Sequence, residues 1–246
     1  RVTRHYAATS GSPTFETWTT FAALSGVVNV SNLNAFRLTV RAGTIHWLTG
    51  LQGDDLNTKR DSAFTNQRRD LAIGARLSLG ASGRSSEETV PWFAIDGAAG
   101  EFFAGLLWSG AWSLTATRTG AGLDVTIGLP AMTTAVSAPV DGPRAFFGVT
   151  RGGIPEASAA LQAFIIYGLR EGRPLDALVT YNTWFAYGVQ IDEASIRKEI
   201  DGAAALGAEL FVVDAAGTRA PAGAAPRISR RGSGPGRSMR AGFRTA

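Results

Sequence analysis

Trp184 and Asp214 each stand just beyond a short apolar run, where α/β enzymes carry polar binding and catalytic groups. Leu178, Val179, Thr180 and Tyr181 form the first run; Leu210, Phe211, Val212 and Val213 form the second, which ends in the Asp214 carboxylate. Between them Asp192 opens a stretch of helical character as its N-cap, and Gly207 closes it at the C-cap. The spacing predicts strand, helix, strand over residues 176–214, and a crossover helix makes the two strands parallel. In a parallel α/β barrel the working groups lie where strands hand over to loops on the carboxyl side, which puts Trp184 and Asp214 beside each other on one rim. One such unit is not a barrel, so the pattern is that of the front part of a larger enzyme.

Other candidates for chemistry lead less far. Asp54 and Asp55 form a carboxylate pair after Gly53, but adjacent acids in a glycine-containing loop ordinarily solvate a turn. His46, between Ile45 and Trp47, reads as a structural histidine with its hydrogen bonds satisfied. With only two histidines and no cysteine, disulfides and thiolate metal sites are excluded, and neither a histidine-rich metal centre nor a Ser–His–Asp triad is expected. No metal or cofactor is expected. Asn29-Val30-Ser31 matches the glycosylation triplet without a secretory segment to support it. Gly232-Ser233-Gly234-Pro235-Gly236 resembles a phosphate loop only superficially, since it follows no strand and opens no helix. Trp108 and Trp112 flank Ser109-Gly110 and suit either an aromatic platform or, more simply, a packed core.

The charge distribution decides against nucleic acid. Seven of the 24 basic residues, and none of the 20 acidic ones, lie in residues 215–246, which leaves residues 1–214 at a net charge of −3. A nucleic-acid binder carries its basic stripe on the folded domain. No apolar run approaches the ~18 residues of a membrane span, so no membrane partner is expected. The lack of cysteine favours a cytoplasmic location. The chain starts at Arg1 rather than Met, and its natural start is expected upstream.

Three regions position these residues. Residues 1–170 alternate with period 2 between glycine- and asparagine-containing turns, which predicts a large antiparallel β-sandwich. Phe36, Leu38 and Val40 share one face of a strand, and Leu71, Ile73, Leu77 and Leu79 share one face of another. Residues 112–118 and 123–129 flank Thr119-Gly120-Ala121-Gly122 as a hairpin. Residues 101–108 are apolar on both faces and predict a central strand covered on both sides. A helix is expected over 154–169, with Pro155 in its first turn and Leu161, Phe164, Ile165 and Leu169 at helical spacing. Residues 174–214 form the strand–helix–strand unit. Residues 215–246 are rich in Ala, Gly, Pro, Ser and Arg and read as a disordered basic tail.

At Asn182-Thr183-Trp184 and at Glu209-Leu210-Phe211-Val212-Val213-Asp214-Ala215 the chain resembles the retaining α-galactosidases of glycoside hydrolase family 36. An Asn-x-Trp motif ends the first barrel strand of that family, and an apolar-Phe-Val-x-Asp motif ends the second. Weaker likenesses lie upstream, at Pro91-Trp92-Phe93-Ala94-Ile95 and from Leu106 to Trp112. The resemblance implies a mainly β fold: a large antiparallel sandwich followed by the first βαβ unit of a truncated (β/α)8 barrel. It implies that Asp214 hydrogen-bonds hydroxyls of a galactose ring and that Trp184 helps wall the pocket, with α-galactosides as partners. A carboxylate orients neighbouring hydroxyls through directed hydrogen bonds, and an indole face covers the C–H side of a sugar.

The family continues its second motif with Gly-Trp, whereas Ala216-Gly217-Thr218-Arg219 follows here. The departure suggests a frameshift near codon 215. Both catalytic aspartates of the family belong to later strands, so the resemblance gives this chain no catalytic residue and predicts that it is inactive. The alternative is a sandwich acting alone as a carbohydrate-binding or oligomerisation module, and a homo-oligomer through the sandwich is the protein partner implied.

Overall fold

Alternating side chains build fourteen strands before the first helix among the described residues. The computed structural model describes residues 1–41, 44–51, 63–97, 100–129 and 132–214. They fall into two compact units that divide between Arg173 and Pro174. Asp54, Asp55, residues 232–236 and the whole of 215–246, including the expected tail and frameshift, lie outside the described residues.

In the first unit, numbered in chain order, the large antiparallel sheet contains β1 (Val2–Ala8), β2 (Thr14–Phe21), β5 (Thr44–Thr49), β6 (Asn66–Arg69), β8 (Thr89–Gly97), β9 (Gly100–Leu107), β13 (Val140–Asp141) and β14 (Arg144–Thr150). Its order is β1-β2-β14-β9-β8-β5-β6, with β13 beside β2. The smaller sheet runs β4-β11-β10-β7, from β4 (Asn34–Val40), β11 (Leu123–Gly128), β10 (Trp112–Arg118) and β7 (Arg76–Ala81). A separate pair joins β3 (Val28–Ser31) to β12 (Thr133–Val136).

The two larger sheets share one core. Ile45, Phe93, Ile95 and Leu106 of the large sheet meet Trp112, Leu114, Val125 and Ile127 of the small one, all 3% exposed or less. Burying a side chain of this size contributes roughly 1.5–3 kcal/mol, so this interface dominates the stability of the unit. The hairpin of β10 and β11 pairs Arg118 with Leu123 across the turn, as its alternation predicts.

Strand β9 is covered on both faces. Ala104 and Leu106 enter the inter-sheet core, while Phe103 turns to the other side and packs with Trp92, Phe146 and Phe164. The cover on that side is α1 (Ile154–Ala163), which continues into a wider π-type turn at Phe164–Leu169. The helical stretch matches the expected span, and Phe164 is buried with Leu161 packed beside it as expected, but the rest of the buried face differs. Ala157, Ala160 and Phe164 face inward, whereas Ile165 and Leu169 are exposed. Small alanines let the helix lie close on the sheet, and the widened turn rotates the later residues away.

A second expectation holds only in part at residues 71–79: Leu71, Leu77 and Leu79 reach the core, but not along one strand. The strand begins only at Arg76, and Ile73 is 76% exposed. Gly74 takes φ 85°, and the Ala75 amide donates to the Ala72 carbonyl at 2.9 Å, closing a turn where alternation suggested continuous strand.

In the second unit, β15 (Thr180–Asn182) and β16 (Leu210–Val212) pair in parallel, with Tyr181 opposite Phe211. Between them lie α2 (Trp184–Tyr187) and α3 (Glu193–Ala205). Asp192 caps α3 by accepting from the Ser195 amide at 2.9 Å. Gly207, at φ 86°, ends it in a Schellman motif: the Gly207 amide donates to the Ala204 carbonyl and that of Ala208 to Ala203. Both strands are shorter than the apolar runs suggest, because each has one neighbour among the described residues and the flanking Leu178, Val179 and Val213 stay exposed. Only Thr183 and Ala203 of residues 174–214 are buried. The two strands make one parallel pair; a partial barrel is not seen.

Candidate functional site

The carboxyl ends of β15 and β16 are tied together by side chains. Asn182 ends β15, and its Nδ2 donates to Oδ2 of Asp214 at 2.8 Å. Its Oδ1 accepts from the Trp184 backbone amide at 2.8 Å, an Asx turn that starts α2. The two bonds together fix the orientation of the amide, since only its oxygen can accept from the N–H and only its nitrogen can donate to the carboxylate. Thr183, 1% exposed, donates its amide to the Val212 carbonyl at 3.1 Å, and its hydroxyl oxygen accepts from the Asp214 amide at 3.2 Å.

Trp184 and Asp214 therefore lie at the same ends of the two strands, and both are bonded to Asn182. Asn182 and Thr183 were legible in the sequence only as part of the Asn-x-Trp motif, with no role in the site assigned to them. The signal was present: a polar Asn two residues before an amide it can cap, at the end of a β-rich run.

Beneath this rim lies a second polar cluster. Glu199 of α3 accepts from the Tyr181 hydroxyl at 2.7 Å through Oε2 and from the Tyr187 hydroxyl at 2.6 Å through Oε1. The two phenol donors hold the Glu199 carboxyl below its usual range. The same bonds push Tyr187 up to about 12 and raise Tyr181. The Tyr181 ring stacks on Phe211 at 5.1 Å and 8°.

The first unit has two perturbed groups of its own. Burial, with Asp96 adding to it, raises Glu101 to about 7, and its Oε1 is buried without a hydrogen-bond partner among the described residues. Burial and the Arg68 charge lower His46. His46 is structural, but its Nδ1 has no partner among the described residues, so the expectation of a fully satisfied histidine is corrected. Trp112 is 2% exposed and donates to the Ser85 carbonyl at 2.6 Å, and Trp108 donates to the Ala111 carbonyl at 3.1 Å. Both belong to the sandwich core, not to a platform. Asn29 lies on β3. Among the described residues there is no group of three or more His, Asp or Glu that could hold a metal ion, and no helix long and apolar enough to cross a membrane.

The fold matches those of α-galactosidases of glycoside hydrolase family 36. The α-galactosidase AgaA of this family from Geobacillus stearothermophilus superposes with a TM-score of 0.63 at 17% identity, over 87% of this chain and 31% of its own. An α-galactosidase from Lactobacillus brevis gives 0.57 at 14%, over 86% of this chain and 35% of its own. The galactosidase domain of the α-galactosidase–sucrose kinase AgaSK gives 0.63 at 16%, over 86% and 31%. At these identities the likeness is one of fold, and the chain spans about a third of the length of each enzyme. A variant of AgaA has been solved in complex with raffinose. No protein-family model matches the sequence, and no curated protein does.

Proposed function

We propose that the chain is the N-terminal portion of an α-galactosidase-like retaining glycoside hydrolase. Residues 1–170 are its sandwich, residues 174–214 open its catalytic barrel, and Asp214 with Trp184 contributes to its galactose site. The observation that carries this reading is the Asn182 bridge, which joins the Trp184 backbone to the Asp214 carboxylate at the ends of two parallel strands. The fold likeness over most of the chain supports it. Raffinose-type α-galactosides are the substrate class.

Exposure favours this rim over the sandwich as the sugar-contacting surface. Of the six tryptophans, all among the described residues, Trp184 alone is exposed, at 46%. Trp18 is stacked between His5 at 4.7 Å and the Arg144 guanidinium at 4.1 Å, so neither indole face is open to a sugar.

Hydrolysis with retention needs two carboxyl groups about 5–5.5 Å apart. The family resemblance assigns both to later strands, so this chain binds without cleaving. Saturation-transfer NMR with galactose tests the reading. Transfer is expected for the chain, is lost in Asp214→Ala and falls in Trp184→Ala, and a chromogenic α-galactoside is not turned over. Transfer that persists in Asp214→Ala, or measurable turnover, overturns it.

Self-association through the sandwich is a second reading. Val2 and Tyr6 of the edge strand β1 and Phe15 of β2 are exposed on one face, beside a strand edge that is unpaired among the described residues. Light scattering of the chain and of Tyr6→Glu separates a dimer from a monomer.

A further inference from the structure

We propose that Glu199 is a positioning residue for the rim, a carboxylate clamp that holds Asn182 and Trp184 in register with Asp214. The inference rests on the sugar-site reading for its functional consequence, but its geometry stands on its own. One carboxylate holds two phenols that bracket the segment carrying the rim groups. Tyr181 immediately precedes Asn182 on β15, and Tyr187 closes α2, which Trp184 opens. The stack of Tyr181 on Phe211 extends the grip to β16, three residues before Asp214. The clamp thereby joins α3, α2 and both strands in a unit whose only buried side chains, among the described residues, are Thr183 and Ala203.

The clamp matters because that unit has almost no core to hold the rim. The Asn182 bridge needs its donor and acceptor within hydrogen-bond distance of two partners at once. With little packing around it, the backbone at residues 182–187 depends on directed bonds at its two ends. Hydrogen bonds to a charged acceptor are about twice as strong as neutral ones, which suits Glu199 better than a neutral side chain for this role. The charged and titratable groups that face it are Tyr181 from β15, Tyr187 from α2, Lys198 from α3 itself and Asp192 beside Tyr187.

The test uses the full chain and reads the Asn182 side-chain NH2 resonance by 15N NMR across pH. In the native chain this resonance shifts as Glu199 titrates, below the ordinary glutamate range, and Asp214→Asn leaves that step in place. In Glu199→Ala and in the Tyr181→Phe, Tyr187→Phe double variant the step disappears and galactose saturation transfer falls about tenfold, the effect of one charge-assisted hydrogen bond. Glu199→Gln, which can still accept from one phenol and donate to the other, loses the pH step but recovers most of the transfer. An Asn182 resonance in Glu199→Ala that matches the native chain overturns the clamp. Where Glu199→Ala fails to fold, Tyr187→Phe alone gives the same reading. Absence of galactose binding in the native chain would overturn the proposed function, while the Asn182 resonance would still decide on the clamp.

Discussion

Asn182 donates to Asp214 across two strands that share a single parallel pairing, and the same amide accepts from the backbone that leads into Trp184. One neutral side chain thus sets the relative placement of a carboxylate and an indole that lie far apart in sequence. The bond to Asp214 is charge-assisted and partly shielded from water, so it carries more weight than an exposed ion pair of the same length.

Asn182→Ala is therefore expected to destabilise the second unit by about 1–2 kcal/mol and to abolish transfer to galactose. Asn182→Asp is expected to be worse at neutral pH, because it sets a second carboxylate against Asp214. Hydrogen exchange of the amides in residues 180–214 reads the first effect, and ligand NMR reads the second.

The ends of α3 provide a separate check. Asp192→Ala removes an N-cap that bonds both the amide and the hydroxyl of Ser195 and is expected to cost about 1 kcal/mol. Gly207→Ala places a Cβ at φ 86° and is expected to cost a similar ~1 kcal/mol. Because little else holds this unit, both variants should lower helical circular dichroism at 37 °C while leaving the unfolding midpoint of the sandwich unchanged.

Glu101 makes the sandwich sensitive to pH. Its pKa in the folded state, about 7, lies above the ordinary carboxyl value of 4.5 because burial disfavours the charge, and Asp96 adds to the effect. A raised folded value means that the native state holds the proton more tightly than the unfolded chain. The contribution is present in full below pH 4.5 and is lost as pH rises through 7. Glu101→Gln should match the native chain at pH 4 and exceed it in stability at pH 8, as read from urea midpoints at both pH values. A midpoint difference independent of pH would count against this account.

Phe93 is fully buried between the sheets, and Phe93→Ala is expected to cost about 3–5 kcal/mol. Phe103→Ala removes a side chain of the same size from the opposite face, under α1, with a cost in the same range. The two differ in their neighbours: the Phe103 variant should also loosen α1, which rests on that side chain. Denaturant unfolding followed by fluorescence and by helical dichroism separates them.

The sequence by itself determined every feature that depends on neighbours along the chain. The β10–β11 hairpin, the double-faced run of β9, the Asp192 cap and the Gly207 stop all follow from alternation or from one residue's backbone preference. Tertiary structure decided what depends on partners distant in sequence. It made residues 72–75 a turn instead of a strand, because the Gly74 amide donates to the Arg118 carbonyl and the Arg118 amide donates to the Ala75 carbonyl, a pairing with a partner far along the chain. It chose Ala157 and Ala160 over Ile165 and Leu169 as the buried face of a helix, because close approach to a sheet rewards small side chains. It also brought Asn182, known from the sequence only as part of a motif, to Asp214, and Glu199, inconspicuous in the sequence, to Tyr181 and Tyr187. A hydrogen-bond partner thirty residues away leaves no periodic trace in a sequence, and only the folded chain brings donor and acceptor within reach.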